Sequence, residues 1–419
     1  MKYGLLGKKL AHSYSKIIHE AFAPYEYELL ELTESELDSF MKKKEFSAVN
    51  VTIPYKETVM KYLSFIDDAA RKIGSVNTVV NNNGVLFGYN TDFYGLRALL
   101  LKNGIEPKGK KALVLGSGGT SKTAVTVCRS LGAREVHVVS RSGNVNYQNV
   151  LSLHGDAEII INTTPCGMFP DNKSSAMSLE GFTCLEGVCD VIYNPLRTPL
   201  LLEAKERGVK FCGGLYMLVM QAVKASELFL GTEFAEGTGD SVYQRLAREK
   251  ENIVLTGMPG SGKSTIGLLL AQELSRPFVD TDSLIVEKAG MEISDIFSKY
   301  GEEHFRALER KVIAEASKRT GLVIATGGGA VLKSENIKNL SQNGKIFFLD
   351  RPLEQIVPTS DRPLSSDECA LKKRFEERYE IYKATCDERI PVDGVARHAA
   401  KLILGKEEQN NENSCPQRT

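Results

Sequence analysis

An α/β fold with more than one domain is predicted by three observations. The chain has 419 residues, about three times a usual domain length. A strand, glycine turn, helix, strand unit begins at Lys111, the signature of a parallel sheet. A second unit of the same texture begins at Ile253, after a stretch rich in Gly and charge from Leu230 to Asn252 that reads as a domain boundary.

Composition narrows the function classes. Lys+Arg and Asp+Glu both number 53, so the net charge is zero and lacks the basic excess of a nucleic-acid binder. Hydrophobic residues at 42% and charged residues at 25% are globular values, which argues against wholesale disorder. No apolar run approaches the ~20 residues that span a bilayer, and only Leu5-Leu6 stands where a signal peptide needs an apolar core. Eight cysteines without a C-x-x-C pair read as reduced thiols. The expectation is a soluble, cytoplasmic protein with no membrane or nucleic-acid partner.

The elements follow in order. Tyr3 to Leu6 and Ala48 to Ile53 are strand-like, with a polar helix from Glu34 to Lys44 between them. Ala112 to Leu115, the helix ending at Leu131, and Val136 to Val139 form the first α/β unit, and Glu158 to Asn162 and Gly187 to Ile192 extend its sheet. One short helix from Asp240 falls in the boundary stretch. Ile253 to Thr256, a helix from Thr265 to Leu274, a strand from Phe278 ending in Asp280 and Asp282, and the apolar Leu322 to Ile324 build the second unit. The segment from Lys406 has no apolar face and reads as a disordered tail.

Gly257-Met258-Pro259-Gly260-Ser261-Gly262-Lys263-Ser264, followed by Thr265, fits G-x-x-x-x-G-K-[ST] between a strand and a helix. Such glycines turn successive backbone N–H groups onto phosphate oxygens, and the helix N-terminus adds its dipole. Lys263 would reach the β/γ-phosphates and Ser264 would ligate Mg²⁺. The motif alone does not separate a kinase from an ATPase or GTPase. Thr326-Gly327-Gly328-Gly329 ends an apolar strand, where open α/β sheets bind ligands. Arg306 lies in GEEHFRALER, which by itself reads as a solvated helix face, and Arg362 lies in a Pro-flanked segment suited to a lid.

From Asn252 to about Leu404 these motifs, in their order, resemble shikimate kinase, a nucleoside-monophosphate-kinase-like P-loop fold. The resemblance implies ATP-dependent phosphorylation of the 3-hydroxyl of shikimate. It casts Asp282 as the group that orients the acceptor hydroxyls, Asp280 as a residue near Mg²⁺, and Arg362 as the lid arginine on the transferring phosphoryl. Arg306, Arg378 and the backbone at Gly327, Gly328 and Gly329 would hold the ring and its carboxylate, as two planar guanidinium groups suit. Three features depart from the pattern: Pro358 stands where the family often has an arginine near adenine, the lid is short, and Asn-Pro is missing after Arg378.

In the first half, Gly116-Ser117-Gly118-Gly119-Thr120-Ser121 is an imperfect G-x-G-x-x-[GA] in strand–helix–strand context, the dinucleotide-binding arrangement. The following strand ends in Ser140-Arg141-Ser142, and an arginine flanked by hydroxyls suits the 2′-phosphate of NADP. Polar clusters upstream around Ser13, Asn50, Asn77 and Asn90 supply donors and acceptors for a polyhydroxylated acid. Lys56 and Asp92 make a proton-transfer pair for a carbonyl reduced by hydride.

From Met1 to about Arg248 the order of these clusters resembles shikimate dehydrogenase. The resemblance makes Lys56 and Asp92 the catalytic pair, and Ser13, Ser15, Thr52, Asn77, Tyr193 and Gln221 the shikimate-binding residues. Asn162-Thr163-Thr164 would lie beside the nicotinamide, and Lys16 departs from a usual Pro. The combined expectation is a substrate domain (1–100 with a returning segment 214–248), a Rossmann NADP-binding domain (101–213), a P-loop kinase domain (249–405) and a tail (406–419). The chain would reduce 3-dehydroshikimate with NADPH and phosphorylate the shikimate with ATP. Separate assays of each half distinguish this from one active half with a sensor or scaffold, and shikimate-independent ATP hydrolysis would mark instead a regulatory NTPase with an NADP-binding domain.

Overall fold

The computed structural model describes residues 2–10, 14–356 and 368–405. Ser13, Pro358, Arg362 and the expected tail therefore lie outside the described residues. The chain divides into two compact units, Met1–Ala247 and Arg248–Thr419.

The first unit holds two sheets. In the first, β1 (Tyr3–Gly7), β2 (Glu28–Glu31), β3 (Ala48–Val51), β4 (Phe65–Ile66), β5 (Thr78–Asn82) and β6 (Val85–Tyr89) lie in the order β2-β1-β3-β5-β6-β4. The β5–β6 pair is antiparallel across Asn83-Gly84, whose φ values of 50° and 87° are those of a two-residue Asn-Gly hairpin. The polar helix is Glu34–Lys43, started by a capping box in which Thr33 and Glu36 satisfy each other's backbone N–H groups.

The second sheet is all parallel: β7 (Lys111–Leu115), β8 (Glu135–Val139), β9 (Ile159–Asn162), β10 (Gly187–Asp190) and β11 (Lys210–Gly213), in the order β11-β10-β9-β7-β8. Its central strands are buried on both faces, which is why they read as unbroken apolar runs rather than alternations. Ala112, Val114, Ile159 and Ile161 pack on one side against Leu96 and Val127. Leu113, Leu115 and Ile160 pack on the other against Val150, Leu200 and Leu201. Burial of each large aliphatic side chain contributes roughly 1.5–3 kcal/mol. The strand order reverses between β7 and β9, so their C-terminal ends frame a crevice.

Helix Leu215–Leu230 returns against helix Thr91–Lys102. Gly95 allows the approach: a Cβ there would stand 2.5 Å from the Met217 carbonyl oxygen and 3.1 Å from the Gln221 nitrogen. The boundary stretch is more ordered than its composition suggests. Its helix runs Thr238–Lys250, and Val242 and Leu246 are buried with Val219, Ala222 and Ile18.

In the second unit β12 (Asn252–Thr256), β13 (Phe278–Asp280), β14 (Val323–Ala325), β15 (Gly344–Asp350) and β16 (Glu388–Pro391) form a parallel sheet ordered β13-β14-β12-β15-β16. Helix Lys263–Leu274 opens two residues earlier than its apolar pattern indicates, because the glycine loop delivers the chain directly into helical geometry. Asp280 and Asp282 do not share a strand end: β13 stops at Asp280, whose Oδ1 accepts from Asp282 N (3.0 Å) and Ser283 N (3.3 Å) and caps helix Thr281–Ala289.

Candidate active sites

In the first unit Lys56 and Asp92, 36 positions apart, meet with Nζ 2.6 Å from Oδ2. Lys56 sits in the turn after β3, where its carbonyl accepts from Val76 N (2.8 Å) and the preceding Tyr55 ring is buried. Asp92 sits in the first turn of helix Thr91–Lys102, capped by Asn90, whose Oδ1 accepts from Phe93 N at 3.3 Å. Both side chains keep part of their surface open, so the pair is fixed without being sealed.

Asn77 is buried beside this pair. Its Oδ1 accepts from Thr91 N (2.7 Å), Thr91 Oγ1 (3.2 Å) and Thr78 Oγ1 (3.0 Å), which aims the amide and locks the start of the Asp92 helix. Gln221 reaches the same place from the returning helix: Thr91 Oγ1 donates to its Oε1 at 3.5 Å, and its Nε2 donates to the Leu218 carbonyl at 2.9 Å. Thr52 follows β3 and is half-buried, its N–H on the Leu6 carbonyl at 2.8 Å. Ser15 opens helix Ser15–Glu20 behind Tyr14, whose ring meets Tyr193 edge-on at 5.6 Å. Burial pushes the Tyr193 phenol up. Thr91, the hub of this network, stands in the sequence only as one member of a polar cluster, because a buried hydroxyl at a helix start looks like an ordinary cap.

The dinucleotide loop occupies the β7–β9 crevice. Gly116 has φ 103°, and a Cβ on it would lie 3.0 Å from Thr163 Oγ1, so this glycine serves both the turn and the close approach of the Asn162-Thr163-Thr164 loop. Gly118 precedes helix Gly119–Ser130, and open space lies where a Cβ would stand on Gly118 or Gly119. Ser117 and Thr120 flank these positions, and Ser121 is buried at the third small position. After β8, Ser140 N donates to the Val145 carbonyl (3.1 Å) in a turn that leaves Arg141 and Ser142 exposed. Asn162 is pinned from behind: its Nδ2 donates to Asp190 Oδ2 at 3.0 Å, while its Oδ1 accepts from Thr164 N and Oγ1. Burial pushes the Asp190 carboxyl up to about 6, against the pull of its bonds from Asn162, Thr198 and Ile192 N. The crevice therefore offers bare backbone for a pyrophosphate and an open cation for a 2′-phosphate, which fits NADP.

In the second unit a cavity of about 410 Å³ collects the expected kinase residues: Gly260, Gly262, Lys263, Ser264, Thr265, Asp280, Asp282, Arg306, Gly327, Gly328, Gly329 and Arg378. Gly257 (φ 145°), Gly260 (φ 83°) and Gly262 (φ 95°) hold backbone that L side chains rarely adopt. The buried Lys263 ammonium folds onto the loop, donating to the Gly257 and Met258 carbonyls at 2.9 Å each. Ser261 Oγ is buried with no hydrogen-bond partner among the described residues. Ser264 Oγ donates to Asp280 Oδ2 at 2.7 Å, bringing together the two groups expected near Mg²⁺. These donors and oxygens fit a nucleotide phosphate chain with a hard cation.

Arg306 is not on a solvated face. It is 7% exposed, with Nη1 donating to Glu309 Oε2 (3.0 Å) and Oε1 (3.1 Å) and Nε to Glu302 Oε1 (3.2 Å). Burial opposes its charge, and the Glu309 and Glu302 carboxylates more than offset that, so its pKa lies above the ordinary value. Glu309 carries no motif of its own, but Arg306, Glu309, Val312, Ile313 and Ala316 share the buried stripe of helix Ile293–Ala316, and their spacing is legible in the sequence. Arg378 is buried and donates through Nη1 to the Gly328 carbonyl at 3.2 Å, and Tyr382 Oη donates to the same oxygen. The glycine triplet is closely approached by the site's own side chains. A Cβ on Gly327 would lie 2.4 Å from Asp282 Oδ1, on Gly328 2.9 Å from the Pro259 ring, and on Gly329 2.3 Å from Arg306 Nη1.

A dinucleotide crevice beside a Lys–Asp pair, and a phosphate-loop cavity lined with arginines, define a bifunctional enzyme with a reductase unit and a kinase unit. The shikimate kinase family model matches residues 259–405, and the shikimate dehydrogenase substrate binding domain model matches residues 5–79. A shikimate dehydrogenase (NADP(+)) of Clostridium beijerinckii is 38% identical over 247 residues, 54% of this chain and 91% of that protein. The crystal structure of shikimate dehydrogenase 1 from Peptoclostridium difficile has a TM-score of 0.54 at 36% identity, covering 59% of this chain and 98% of that one. A Thermus thermophilus shikimate 5-dehydrogenase in complex with NADP(H) and shikimate has a TM-score of 0.52 at 32% identity, covering 58% and 99%. The chain belongs to the shikimate dehydrogenase family and carries a shikimate kinase domain after it. It is a bifunctional shikimate pathway enzyme, an NADP-dependent oxidoreductase and a kinase in one polypeptide.

Proposed function

We propose that the first unit reduces 3-dehydroshikimate to shikimate and that the second phosphorylates the shikimate 3-hydroxyl. NADPH supplies the hydride and ATP, with Mg²⁺, the phosphoryl group. The Lys56–Asp92 pair at 2.6 Å carries the first assignment, because a carbonyl that receives hydride must also gain a proton at oxygen. Lys56 donates that proton, and Asp92 holds the ammonium in position. Ser13, Ser15, Thr52, Asn77, Tyr193 and Gln221 hold the ring hydroxyls and carboxylate. Gly116 to Thr120 cradle the pyrophosphate, and Ser140, Arg141 and Ser142 take the 2′-phosphate.

In the second unit Asp282 orients the acceptor hydroxyl and receives its proton, while Arg306, Arg378 and the Gly327–Gly329 backbone hold the carboxylate and ring. Lys263 exchanges the Gly257 and Met258 carbonyls for phosphate oxygens, Ser264 and Asp280 face the cation, and Arg362 neutralises charge on the transferring group. We also propose the division 1–100 with 214–248, 101–213 and 249–405. We also propose a cytoplasmic location; no helix among the described residues is long and apolar enough to cross a membrane.

One assay tests the whole reading. The chain is supplied with 3-dehydroshikimate, NADPH and ATP, and shikimate and its 3-phosphate are followed separately. Both products are expected to appear in sequence. Accumulation of shikimate without its phosphate, in the presence of Mg²⁺, would sink the second half.

A further inference from the structure

We propose that Arg351 is a nucleotide-binding residue of the kinase cavity, placed to take the phosphate chain. The inference rests on the reading of the second unit as an ATP-dependent kinase. It assigns a cation that neither the motifs nor the resemblance singled out.

The chain leaves β12 for β13 and leaves the adjacent β15 for β16, in opposite directions along the sheet. The ends of two such strands frame the crevice in which open α/β sheets bind ligands. β12 delivers the phosphate loop there, and β15 delivers Arg351, which lines the cavity with Pro259, Gly260 and Lys263.

The charges around the cavity are unevenly matched. Arg306 is held by Glu302 and Glu309. Asp350, the immediate neighbour of Arg351, is engaged with Arg389 and Tyr379. Among the described residues no carboxylate pairs with Arg351. Among the described residues its one hydrogen bond is a long one from Nη1 to the Gly260 carbonyl at 3.4 Å, and its Nε is buried without an acceptor there. A guanidinium at a cavity wall with an unmet buried N–H is favourable once an anion completes its shell. Its fork of donors matches a phosphate. Arg306 and Arg378 gather at the glycine triplet, whereas Arg351 stands at the phosphate loop, so the anion it faces is the nucleotide rather than the carboxylate substrate.

The test uses the full chain and ADP as probe, by equilibrium dialysis, with Arg351→Met and Arg351→Lys beside the wild type. Dehydrogenase activity and thermal unfolding monitor the integrity of each unit. ADP binding is expected to weaken roughly tenfold or more in Arg351→Met, with partial recovery in Arg351→Lys. KM for ATP should rise in parallel while KM for shikimate stays near the wild-type value. Unchanged ADP affinity, or a rise in KM for shikimate alone, would overturn the assignment. So would a lowered unfolding temperature with normal ADP affinity, the mark of a strut under the loop. A wild-type chain that binds no ADP would instead remove the kinase reading on which the inference stands.

Discussion

Gly329 and Arg306 are locked together by shape: a methyl group on the glycine would lie 2.3 Å from Nη1 and 2.5 Å from Nη2 of the guanidinium. Arg306 is itself held on the other side by Glu309, which is buried and has a carboxyl pushed up by that burial against the pull of Arg306. The arginine's direction is therefore set between a buried carboxylate and a residue without a side chain.

Gly329→Ala should accordingly damage substrate binding more than stability. The atom it meets is the far end of a flexible side chain, so the fold can yield by displacing Arg306. A displacement of about 1 Å is enough to cost roughly ten- to a hundredfold in catalysis. KM for shikimate in the kinase reaction is expected to rise, with the unfolding temperature nearly unchanged. A normal KM would show that Arg306 does not hold the substrate.

Lys56→Ala should remove NADPH-dependent reduction by roughly a hundredfold or more, the usual worth of a positioned proton donor. Phosphorylation should survive, because Lys56 and Lys263 lie in separate units. Asp92→Asn should leave a smaller defect, since an amide still accepts a bond from the ammonium. Loss of both activities in a folded Lys56→Ala chain would refute independent sites.

How much of this was legible depends on whether the chemistry was local. The phosphate loop, the dinucleotide loop and the buried parallel strands are contiguous runs, and each stands in the structure where its spacing put it. Glu309 and Thr91 were not legible in the same way. Each is an ordinary polar residue whose role comes from a partner brought by folding: Arg306 for Glu309, and Asn77 with Gln221 for Thr91. Arg351 follows a strand in an unremarkable turn, and only the parallel pairing of β12 and β15 sets it against Gly260. The Thr238–Lys250 helix extends beyond what its Gly and charge content indicates, because Val242 and Leu246 give it a buried face.

Arg141→Ala should lower the preference for NADPH over NADH. Arg141 is exposed after β8 and carries no structural burden, so stability should be unaffected. Loss of a charge-assisted bond to the 2′-phosphate is worth about 1.5–3 kcal/mol, roughly ten- to a hundredfold in KM for NADPH, with KM for NADH unchanged. Equal effects on both cofactors would move the 2′-phosphate site elsewhere.

Two buried groups in the first unit titrate in opposite senses, and their opposition makes a sharper prediction than either alone. His19 stacks on Tyr27 at 4.1 Å and shares its Nδ1 with Tyr25 Oη (2.8 Å) and Ser226 Oγ (3.0 Å); burial pushes its pKa from 6.5 down to about 3. Its folded pKa lies below the unfolded one, so its contribution is full above pH 6.5 and is lost as pH falls toward 3. Asp190 rises from 3.8 to about 6. Its folded pKa lies above the unfolded one, so its contribution is full below 3.8 and is lost as pH rises through 6. Between about pH 4 and 6 the unfolded chain binds one extra proton at His19 and releases one at Asp190, so the two slopes, each about 1.4 kcal/mol per pH unit, cancel. His19→Asn keeps a polar partner for Tyr25 without titrating, and it should leave a stability that falls as pH rises across this window. Asp190→Asn should leave the opposite slope, with a lower baseline because one amide oxygen replaces the two carboxyl oxygens that accept from Asn162, Thr198 and Ile192 N. Urea unfolding read by loss of dehydrogenase activity at pH 4.5, 5 and 5.5 measures both. Parallel slopes in the two variants would mean that at least one of the groups is not held in the state its burial dictates.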